Sequence, residues 1–583
     1  MSLSRSPLPV QPPQTLAMQT RAGNSVRLDA DVYYPVGEGP FPVLLMRQPY
    51  GRAIASTVVY AHPTWYAAQG YIVVIQDVRG RGTSEGEFRL FETEIEDGED
   101  AVDWAANLPN SNGHVGMYGF SYQGMTQLYA AVNRPEPLKT ICPAMLAYDL
   151  YQDWAYENDA FCLQANLGWA LQLAAETARR NDDESSFLEL AQAAKQLPLH
   201  DRLPAYPEIL SRLAPDSFYH DWVSRSPQDP YWAKLSPKTY CDRFLDLPML
   251  HIGGWFDPYL RGTLNLYQAL QATAQAPQHL IIGAWGHLPW GRKVGAIDYG
   301  TKAVSDCDRA QIRWFDRWLK PEVQRAEAPL PAPAIQLFIL GKNDWWSPAS
   351  LPSGFHAAAD REQPTSEQPT SKQLTSEQTT GVQAWQLLTT GLTSIRGSDL
   401  IPQGTDVVSR AMPDAIVHDP WRPVPALGGH AAVPAGCFDR ALIDSRSDVL
   451  TYTTAPFTAV QWLLGQVRVD VTCAADQPSF DLCAVLSEVY PDGSVYPLSQ
   501  GYLCITQPPA TGEVSLPLQP IAAQIPMGHA LRLSLSAACF PAYPVNSGSG
   551  VPPRGARAID AKIITITIEK GRVQIPIGSN LPS

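Results

Sequence analysis

The stretch HVGMYGFSYQGMTQLYAA, residues 114–131, begins as an apolar strand-like segment and ends as a helix-like one. Ser121 lies in the turn between the two, with Gly119 and Gly124 on either side of it. A serine at such a turn projects its hydroxyl above the edge of a sheet, and the glycines permit the close backbone approach that the turn needs. The spacing is one residue longer than the usual G-x-S-x-G pattern. The stretch therefore predicts an α/β sheet and makes Ser121 a candidate nucleophile.

Strand and helix patterns alternate on both sides of this turn. The apolar runs FPVLLMRQP, YIVVIQDV and LKTICPAML, with the helix pattern TEIEDGEDAVDWAANL, predict the first part of an α/β core with a parallel sheet over residues 1–147. LPMLHIGGWFD, QHLIIGAWGH and CDRAQIRWFDRWLK predict its second part over 241–330. RLDADVYYP alternates as an edge strand does, and the Pro- and Gln-rich residues 1–20 are interpreted as a flexible leader.

The pattern changes between and after these two parts. From 148 to 240 the strand signal disappears and helical segments such as NLGWALQLAAETARR dominate, which favours a helical cap over the sheet; a separate helical domain is the alternative. From 331 to 583, short alternating strands that begin with PAIQLFILG predict an all-β jelly roll. Within it the repeat EQPTS-EQPTS-KQLTS-EQTTG lacks apolar residues, so residues 360–382 are predicted to be a disordered insertion.

Composition argues against several functional classes. A chain of 583 residues is expected to hold about two to four domains. Its formal net charge of −14 argues against nucleic acid or an anionic membrane as a partner. No apolar run approaches the roughly 18 residues of a membrane span. The nine cysteines form no CxxC pair and the N-terminus has no signal-peptide pattern, so reduced thiols in the cytoplasm are expected.

The segment VRGRGTSEG follows a strand and invites comparison with a dinucleotide-binding loop. Its glycines at 80, 82 and 86 are one residue too widely spaced for G-x-G-x-x-G, and charged residues crowd them. Asp77 and Arg79 are interpreted as a structural loop pair. No cluster with metal-ligand spacing stands out in the sequence either. The sequence therefore predicts an enzyme with neither cofactor nor metal.

An acid and a base follow Ser121 in the chain order Ser–Asp–His. Asp257 directly follows the strand LPMLHIGGWF and His287 follows LIIGAWG, so both are expected at the strand ends that also carry Ser121. The histidine would accept the serine proton, and the aspartate would hold the imidazole tautomer. The other histidines near these strands lie before or within them and are interpreted as packing residues: His114, His251 and His279.

The turn G-F-S-Y-Q-G resembles the G-x-S-Y-x-G elbow of the cocaine-esterase-like hydrolases, relatives of the X-Pro dipeptidyl-peptidases, α-amino-acid ester hydrolases and glutaryl-cephalosporin acylases. RQPYGR (47–52), GYIVVIQDVRGRGTSEGEF (70–88), GGWFDPY (253–259), GAWGH (283–287) and RWFDRWLK (313–320) are similar to further segments of that family. GKNDWWSP, SDVLTYTTAPF and FPAYPVN are similar to its jelly-roll domain. The resemblance spans nearly the whole chain and implies an α/β-hydrolase core, an inserted helical cap and a C-terminal, galactose-binding-like jelly roll.

The resemblance also implies roles that spacing does not reveal. The oxyanion hole of the family pairs a backbone N–H with a tyrosine hydroxyl, which here correspond to the Tyr122 N–H and the Tyr50 hydroxyl of RQPYG. Aromatic residues of the family's cap, and of the loop after the acid, line its acyl pocket. Here they correspond to Trp154, Trp169 and Tyr259. Plain packing inside the cap is the alternative role of these three side chains.

Three cap acids raise a second question about the substrate. Some relatives use acidic groups in this segment to bind a substrate α-amino group, and this chain has Asp153, Glu157 and Asp159 there. Many relatives have Gly-Gly-Ala-Phe where this chain has Asn-Asp-Ala-Phe at 158–161, so the specificity of no single relative transfers directly. A solvated acidic face is the alternative interpretation of the three carboxylates.

The sequence thus predicts a serine carboxylesterase or acylase that acts through an acyl-enzyme. Its expected partner is a small-molecule ester, amide or short peptide substrate, and a homodimer is left open. An X-Pro dipeptidyl-peptidase or α-amino-acid ester hydrolase is the alternative within the same class. A carbohydrate-binding or interaction protein with a vestigial hydrolase core is the alternative from a different class.

Overall fold

A ten-stranded sheet forms the centre of the N-terminal half of the chain. The computed structural model describes residues 7–21, 25–53, 57–320, 333–355, 380–405, 412–510 and 512–578. The strands of this half are, in chain order, β1 (Gln14–Gln19), β2 (Arg27–Tyr33), β3 (Phe41–Gln48), β4 (Ile72–Asp77), β5 (Ser111–Phe120), β6 (Leu138–Ala144), β7 (Tyr156–Glu157), β8 (Ala160–Phe161), β9 (Met249–Phe256), β10 (Gln278–Gly286), β11 (Lys293–Val294), β12 (Ile297–Asp298), β13 (Ile335–Ile339) and β14 (Asp344–Trp346). The sheet order is β1-β2-β4-β3-β5-β6-β9-β10-β13-β14.

The middle of this sheet is parallel, and helices cover both of its faces. All pairs from β4 through β3, β5, β6, β9 and β10 to β13 are parallel, whereas β1, β2 and β14 pair antiparallel. Strands β3 and β4 are buried at every position, as expected for strands between two helical layers. The helices of this half are α1 (Pro63–Ala67), α2 (Glu94–Ala106), α3 (Tyr122–Ala131), α4 (Leu163–Arg180), α5 (Glu184–Lys195), α6 (Glu208–Leu213), α7 (Phe218–Ser224), α8 (Pro230–Leu235), α9 (Leu260–Thr273) and α10 (Cys307–Leu319). The predicted α/β class is confirmed.

The N-terminal segment differs from the prediction. Residues Gln14–Gln19 of the supposed leader form β1, which pairs with β2 from Gln14 opposite Val32 to Gln19 opposite Arg27. As a result β2, predicted as an edge strand, has a neighbour on each side. Polar residues are tolerated in β1 because it is the outer strand and four of its six positions are exposed. The prediction of an unstructured leader is therefore wrong for these residues.

Helices α4–α8 form the segment predicted as the cap. A π-helical turn over Tyr151–Ala155 and the short hairpin β7–β8 precede α4, and a 3₁₀ segment over Pro237–Phe244 follows α8. Helix α4 buries Leu163, Leu167, Ala170 and Leu171, a spacing that places them on one face of the helix. These side chains belong to the same apolar core as strands β3 and β5, so the cap packs directly onto the sheet.

The C-terminal half is a two-layered all-β structure. Its strands are β15 (Thr380–Leu387), β16 (Ser398–Pro402), β17 (Asp414–His418), β18 (Leu450–Thr453), β19 (Gln461–Gly465), β20 (Arg468–Ala475), β21 (Phe480–Val489), β22 (Val495–Ile505), β23 (Glu513–Pro517), β24 (Ile521–Ile525), β25 (Ala530–Ser536) and β26 (Ile564–Gly578). Along the main path the order is β22-β21-β25-β18-β16-β15-β26-β19-β24, and β17, β20 and β23 pair to the side. Alternate residues of β26, such as Ile564, Ile566 and Ile568, are fully buried between the layers. The predicted all-β domain is confirmed.

Two sequence-based assignments near residue 331 need correction. PAIQLFILG was predicted as the first jelly-roll strand, but Ile335–Ile339 is β13, which pairs in parallel with β10 through Leu280 and Ile335. A short apolar run fits a buried parallel strand and a sandwich strand equally well, so its pattern does not identify its sheet. Most of the predicted disordered insertion, 360–379, lies outside the described residues. Its last residues belong to β15, so the predicted end at 382 is wrong.

The two halves are joined by backbone hydrogen bonds as well as by the chain itself. Leu340, directly after β13, donates its N–H to the Ala522 carbonyl of β24 at 3.0 Å. The Gln524 N–H donates to the Leu340 carbonyl at 2.8 Å. Strand β13 therefore belongs to the first sheet while its end contacts the second. Among the helices that the structure describes, none has the length and apolar character needed to cross a bilayer.

Candidate active site

Ser121 occupies a strained turn between β5 and α3. Its backbone has φ 61° and ψ −127°, a region that costs a non-glycine residue about 1–3 kcal/mol. The surrounding structure holds it there, because the Ser121 N–H donates to the Ala144 carbonyl of β6 at 3.0 Å. The Ser121 carbonyl accepts the N–H groups of Gly124 and Met125 at 2.9 and 3.0 Å. The geometry is that of a nucleophile elbow, which exposes a serine hydroxyl above the strand ends.

Glycine is required at each of the two elbow positions for a different physical reason. Gly119 has φ 138°, and a Cβ there would lie 2.4 Å from the Gln123 Cβ. A Cβ on Gly124 would lie 2.7 Å from the Ala144 carbonyl oxygen. Helix α3 could therefore not begin so close to β6 with a larger residue at 124.

Asp257 and His287 are hydrogen-bonded to each other at the strand ends next to the elbow. Asp257 directly follows β9 and is fully buried, and His287 follows β10 with its side chain 26% exposed. The His287 Nδ1–H donates to Asp257 Oδ1 at 2.8 Å. This bond fixes the tautomer that leaves Nε2 free of its proton, which is the form a general base requires.

Aromatic rings orient the His287 imidazole beside Ser121. The ring of Phe120, the residue before Ser121, lies 5.3 Å from the imidazole centroid. The Tyr259 ring lies 4.9 Å away at 85°, an edge-to-face arrangement. The Trp290 Nε1–H donates to the His287 carbonyl at 3.2 Å. His287 is thus held through its ring, its Nδ1 and its backbone.

The all-β domain contributes a residue that the sequence did not reveal. The Gln519 Nε2 group donates to the carbonyls of Trp255 and Asp257 at 2.9 and 3.1 Å. Gln519 is itself buried, in the segment between β23 and β24. It lies more than 260 residues after the acid, and no local pattern marks a lone glutamine as a partner of a distant loop.

The Tyr50 hydroxyl lies between Ser121 and the cap. It accepts a hydrogen bond from the Trp169 Nε1–H of α4 at 3.1 Å. Burial raises the pKa of Tyr50 to about 12, and hydrogen bonds with Trp169 and Ser121 and the Arg81 charge oppose that rise. Tyr50 is therefore a neutral hydrogen-bond donor at physiological pH, in contact with the candidate nucleophile.

The Tyr122 side chain is bonded to other residues, so its backbone N–H is the group that can act at the elbow. It is the first residue of α3, where a backbone N–H has no acceptor within the helix. The hydroxyl donates to Glu94 Oε1 at 2.8 Å, and the ring lies 4.7 Å from that of Phe91. The side chain thus anchors the start of the helix and leaves the backbone N–H as the group of Tyr122 that is available at the elbow.

The three predicted pocket aromatics form a continuous cluster that ends at His287. Trp154 stacks on Trp169 at 5.3 Å and contacts Tyr259 at 4.3 Å, and Tyr259 contacts the imidazole. Trp154 and Tyr259 are 2% and 8% exposed, whereas Trp169 is partly exposed. Trp169 is therefore the member of the cluster that offers surface to a ligand, and Trp154 lies behind it.

Of the three cap acids, two are buried with protein partners. The Asp153 carboxylate accepts the N–H groups of Tyr148 and Asp149 and the Asn265 amide, at 2.8 to 3.1 Å. Burial raises the pKa of Asp153 to about 6. Asp159 is exposed on the β7–β8 turn.

Glu157 is the most heavily bonded of the three. It pairs with Arg261 at 2.9 Å and accepts hydrogen bonds from His430 Nε2 at 2.8 Å and the Tyr543 hydroxyl at 2.6 Å. Burial would raise its pKa, but the Arg261 and His430 charges outweigh it, and the pKa falls to about 2. Both buried carboxylates are therefore occupied by protein groups.

The rival histidines lie away from the elbow. His251, inside β9, bonds to the Gln278 amide at 2.9 Å, and burial lowers its pKa to about 4. His279 packs 4.9 Å from the Trp314 ring, and burial lowers its pKa too. His114 contacts the Leu319 carbonyl at 3.1 Å. All three serve packing or local bonding.

The VRGRGTSEG loop is held by ion pairs that differ from the predicted one. Asp77 pairs with Arg52 at 2.6 Å, and Arg79 pairs with Asp97 at 2.6 Å, so the expected Asp77–Arg79 pair is wrong. Gly82 has φ 52°, and a Cβ there would lie 1.8 Å from the Asp77 carboxylate. The glycine is thus needed because the Asp77 carboxylate occupies the space of its side chain.

Comparisons with known proteins identify the relatives of this chain. The family model of the X-Pro dipeptidyl-peptidase (S15 family) matches residues 23–289, and that of the X-Pro dipeptidyl-peptidase C-terminal non-catalytic domain matches 340–573. The chain is 28% identical over 568 residues to the cocaine esterase of Rhodococcus sp. (strain MB1 Bresler), covering 90% of this chain and 91% of that protein.

Two solved structures share the fold over almost the full length. An aminopeptidase from a marine sediment Thaumarchaeota archaeon superposes with a TM-score of 0.74 at 20% identity, covering 97% of both chains. An α-amino acid ester hydrolase superposes with a TM-score of 0.73 at 20% identity, covering 97% of this chain and 96% of that one. The chain therefore belongs to the family of serine hydrolases that contains cocaine esterase and the X-Pro dipeptidyl-peptidases, which cleave ester or amide bonds with an α/β-hydrolase domain followed by an all-β domain.

Proposed function

We propose that the protein is a carboxylesterase or acylase in which Ser121 is the nucleophile, His287 the general base and Asp257 the residue that orients it. The observation that carries the proposal is the 2.8 Å Asp257–His287 hydrogen bond beside the strained Ser121 turn. An ester or amide carbonyl bound above the elbow would meet the serine hydroxyl and the imidazole together.

The chemistry follows from these positions. Ser121 Oγ attacks the carbonyl carbon as its proton passes to His287 Nε2, and negative charge develops on the carbonyl oxygen. The Tyr50 hydroxyl and the Tyr122 N–H donate to that oxygen. Collapse of the tetrahedral intermediate releases the alcohol or amine, which takes the proton from His287. Water, deprotonated by His287, then attacks the acyl-enzyme and frees the carboxylic acid and Ser121.

The substrate class is proposed from the surroundings of Tyr50. Trp169 borders the site with partly exposed aromatic surface, and Tyr259 packs against the His287 ring, which favours an aryl or other apolar acyl group. Asp153 and Glu157 are bonded to protein groups, so neither carboxylate is free to bind a substrate ammonium. Both observations favour simple acyl esters over α-amino substrates.

The second candidate is an X-Pro dipeptidyl-peptidase or α-amino-acid ester hydrolase. It is favoured by the description of the S15 family and by the activity named for the similar archaeal aminopeptidase. A binding protein with a vestigial core receives no such support. The two enzymatic candidates differ in whether a free substrate amine is recognised, which an assay can resolve.

The deciding experiment compares two chromogenic substrates, p-nitrophenyl benzoate and Ala-Pro p-nitroanilide, with Ser121→Ala as the control. Turnover of the ester but not the anilide, abolished in the variant, is the expected result. Efficient anilide cleavage would establish the second candidate instead. Ester turnover in Ser121→Ala equal to that of the unmodified enzyme would contradict the assignment of the nucleophile.

We also propose that the enzyme acts in the cytoplasm. All nine cysteines are free thiols in the structure, which suits a reducing compartment. Fractionation of the producing cells, with the activity assayed in each fraction, tests this location. A homodimer stays a prediction, and sedimentation velocity at two protein concentrations checks it.

A further inference from the structure

We infer that Trp169 is a positioning residue of the oxyanion hole: its indole N–H, donated from the cap, fixes the Tyr50 hydroxyl as the hydrogen-bond donor to the reacting carbonyl. The inference rests on the proposed function and deepens it. It gives the cap a part in the chemical step, in addition to forming the wall of the acyl pocket.

The first step of the argument is the direction of the hydrogen bond. A tyrosine hydroxyl both donates and accepts, whereas an indole N–H only donates. At 3.1 Å the Trp169 N–H must therefore occupy a lone pair of the Tyr50 oxygen. The Tyr50 proton then points away from the indole and is left for another acceptor, such as a reacting carbonyl. Tyr50 is oriented before substrate arrives, which lowers the cost of organising the site.

The second step is the rigidity of the indole. Trp169 is packed by Trp154 at 5.3 Å with the ring planes inclined by 29°, by Phe218 at 5.1 Å and by Trp222 at 6.1 Å. These rings fix the plane in which the N–H lies, so the donor cannot swing away without breaking the cluster. Trp154 is the informative contrast, because its own Nε1 is buried without a hydrogen-bond partner among the described residues.

The third step is the anchoring of α4 to the core on the same helix face. Arg81 donates to the Leu173 carbonyl at 3.0 Å and to the Thr177 hydroxyl at 3.1 Å. Residues 169, 173 and 177 are spaced four apart and lie along one face of the helix. Arg81 is 1% exposed and lies over the Phe88 ring at 3.7 Å. Within the described ranges no carboxylate lies at ion-pair distance from it.

The position of Arg81 has an electrostatic consequence as well as a mechanical one. A buried guanidinium without a carboxylate partner leaves its charge available to nearby groups. That charge and the Trp169 bond both oppose the burial that raises the pKa of Tyr50. Arg81 thus has two effects. It holds the helix that carries Trp169. Together with the Trp169 N–H, its charge also stabilises negative charge on the Tyr50 oxygen when the hydroxyl donates its proton in a hydrogen bond.

The test is a double-mutant cycle between Trp169→Phe and Tyr50→Phe, with kcat and KM measured on p-nitrophenyl benzoate. Active sites are titrated with a fluorophosphonate, so that kcat refers to folded enzyme. In the natural background, Trp169→Phe is expected to lower kcat by roughly 3- to 10-fold, the worth of one hydrogen bond. In the Tyr50→Phe background, Trp169→Phe is expected to leave kcat unchanged, because its target is gone.

Trp154→Phe is the matched control. It removes an indole from the same aromatic cluster, but that indole donates no hydrogen bond to Tyr50. Its effect, mainly on KM, is expected to be the same in both backgrounds. If the losses of kcat caused by Trp169→Phe and Tyr50→Phe multiply in the double variant, the two residues act independently. That result would overturn the positioning role and leave Trp169 as a wall of the acyl pocket.

The same variants distinguish failure of the proposed function from failure of the inference on Trp169. If Tyr50→Phe kept the natural kcat, the oxyanion assignment itself would be wrong, and the inference would be wrong with it. If Tyr50→Phe lowers kcat by about 10²- to 10³-fold, as the loss of an oxyanion donor does, the proposed function stands and the cycle decides the role of Trp169 alone.

Discussion

Among the carboxylate–histidine pairs of the residues that the structure describes, two have the same length in different surroundings. Asp257 and His287 are 2.8 Å apart, and so are Glu157 and His430. The His287 side chain is 26% exposed beside the elbow, whereas that of His430 is 2% exposed. A short hydrogen bond therefore does not identify a catalytic pair. The Asp257–His287 pair differs in the exposure of its imidazole and in the packing of Phe120, the residue before Ser121, against that ring.

The second pair acts as a connection between three parts of the chain. Glu157 lies in the β7–β8 hairpin, Arg261 in α9, and His430 and Tyr543 in the all-β half. Every group on this carboxylate comes from a different segment of the sequence. Its role is to fix the cap hairpin against the rest of the molecule, and the comparison predicts chemical effects at one pair and stability effects at the other.

The largest expected effect is on turnover at the first pair. His287→Gln should lower kcat by about 10⁶-fold, as loss of the base does in enzymes that use a serine triad. His430→Gln is the control, because it removes the imidazole from the other pair. It should lower the melting temperature and leave kcat per titrated active site unchanged. A comparable loss of kcat in both variants would remove the distinction between the pairs.

The next effect is on stability at the second pair. Glu157→Ala should lower the free energy of unfolding by about 3–5 kcal/mol, because Arg261 would remain buried without its partner. Urea unfolding followed by circular dichroism measures the change. Asp159→Ala, two residues later in the same hairpin and exposed, should change stability by less than about 0.5 kcal/mol. A stable Glu157→Ala enzyme with impaired substrate binding would instead assign this carboxylate to the substrate site.

The pH dependence of the free energy of unfolding should depend on the ionisation of the same carboxylate, Glu157. The pKa of Glu157 is about 2 in the folded protein, below the 4.5 of a free glutamate, so its contribution is complete above pH 4.5 and is lost as the pH falls towards 2. The contribution is about 3.5 kcal/mol, from a pKa difference of about 2.5 at about 1.4 kcal/mol per pKa unit. The stability difference between the natural enzyme and Glu157→Gln should therefore shrink from pH 5 to pH 2. A difference that stays constant over this range would contradict the low pKa.

The smallest expected effect is on the loop that carries Asp257, the carboxylate of the first pair. Gln519→Met should cost about 1–3 kcal/mol of stability, because the Trp255 and Asp257 carbonyls would lose a buried donor. Since that loop carries the acid, kcat should fall as well. Gln524→Met, a half-buried glutamine of the neighbouring strand β24, is the control. Unchanged kcat in Gln519→Met would show that the acid loop keeps its position without this clamp.

The parts of the site that the sequence predicted are those encoded locally. The Ser121 elbow depends on two glycines within five residues of each other, and Asp257 and His287 each directly follow an apolar strand. Such features appear as short patterns. The roles proposed for Tyr50 and Tyr122 come from the family resemblance, because neither a tyrosine in a loop nor a backbone N–H has a pattern of its own.

The features that the sequence did not predict are long-range. The Trp169–Tyr50 bond spans 119 residues and the Gln519–Asp257 bond spans 262, so no window of sequence contains both partners. The cap acids raised a question that only their partners answer, because Glu157 is an ion-pair residue through Arg261 and His430. Strand β13 was assigned to the wrong sheet because its apolar pattern satisfies either sheet equally well.

The backbone link between Leu340 and β24 bears on how such enzymes can be recombined. An engineer who exchanged the all-β half for that of a relative, cutting after Leu340, would separate the end of β13 from the strand to which it is bonded. The same cut would replace Gln519, and with it the clamp on the acid loop. A viable chimera would have to inherit β13, β24 and the segment before β24 as one unit. The chain thus has two halves by sequence, but they do not behave as interchangeable modules.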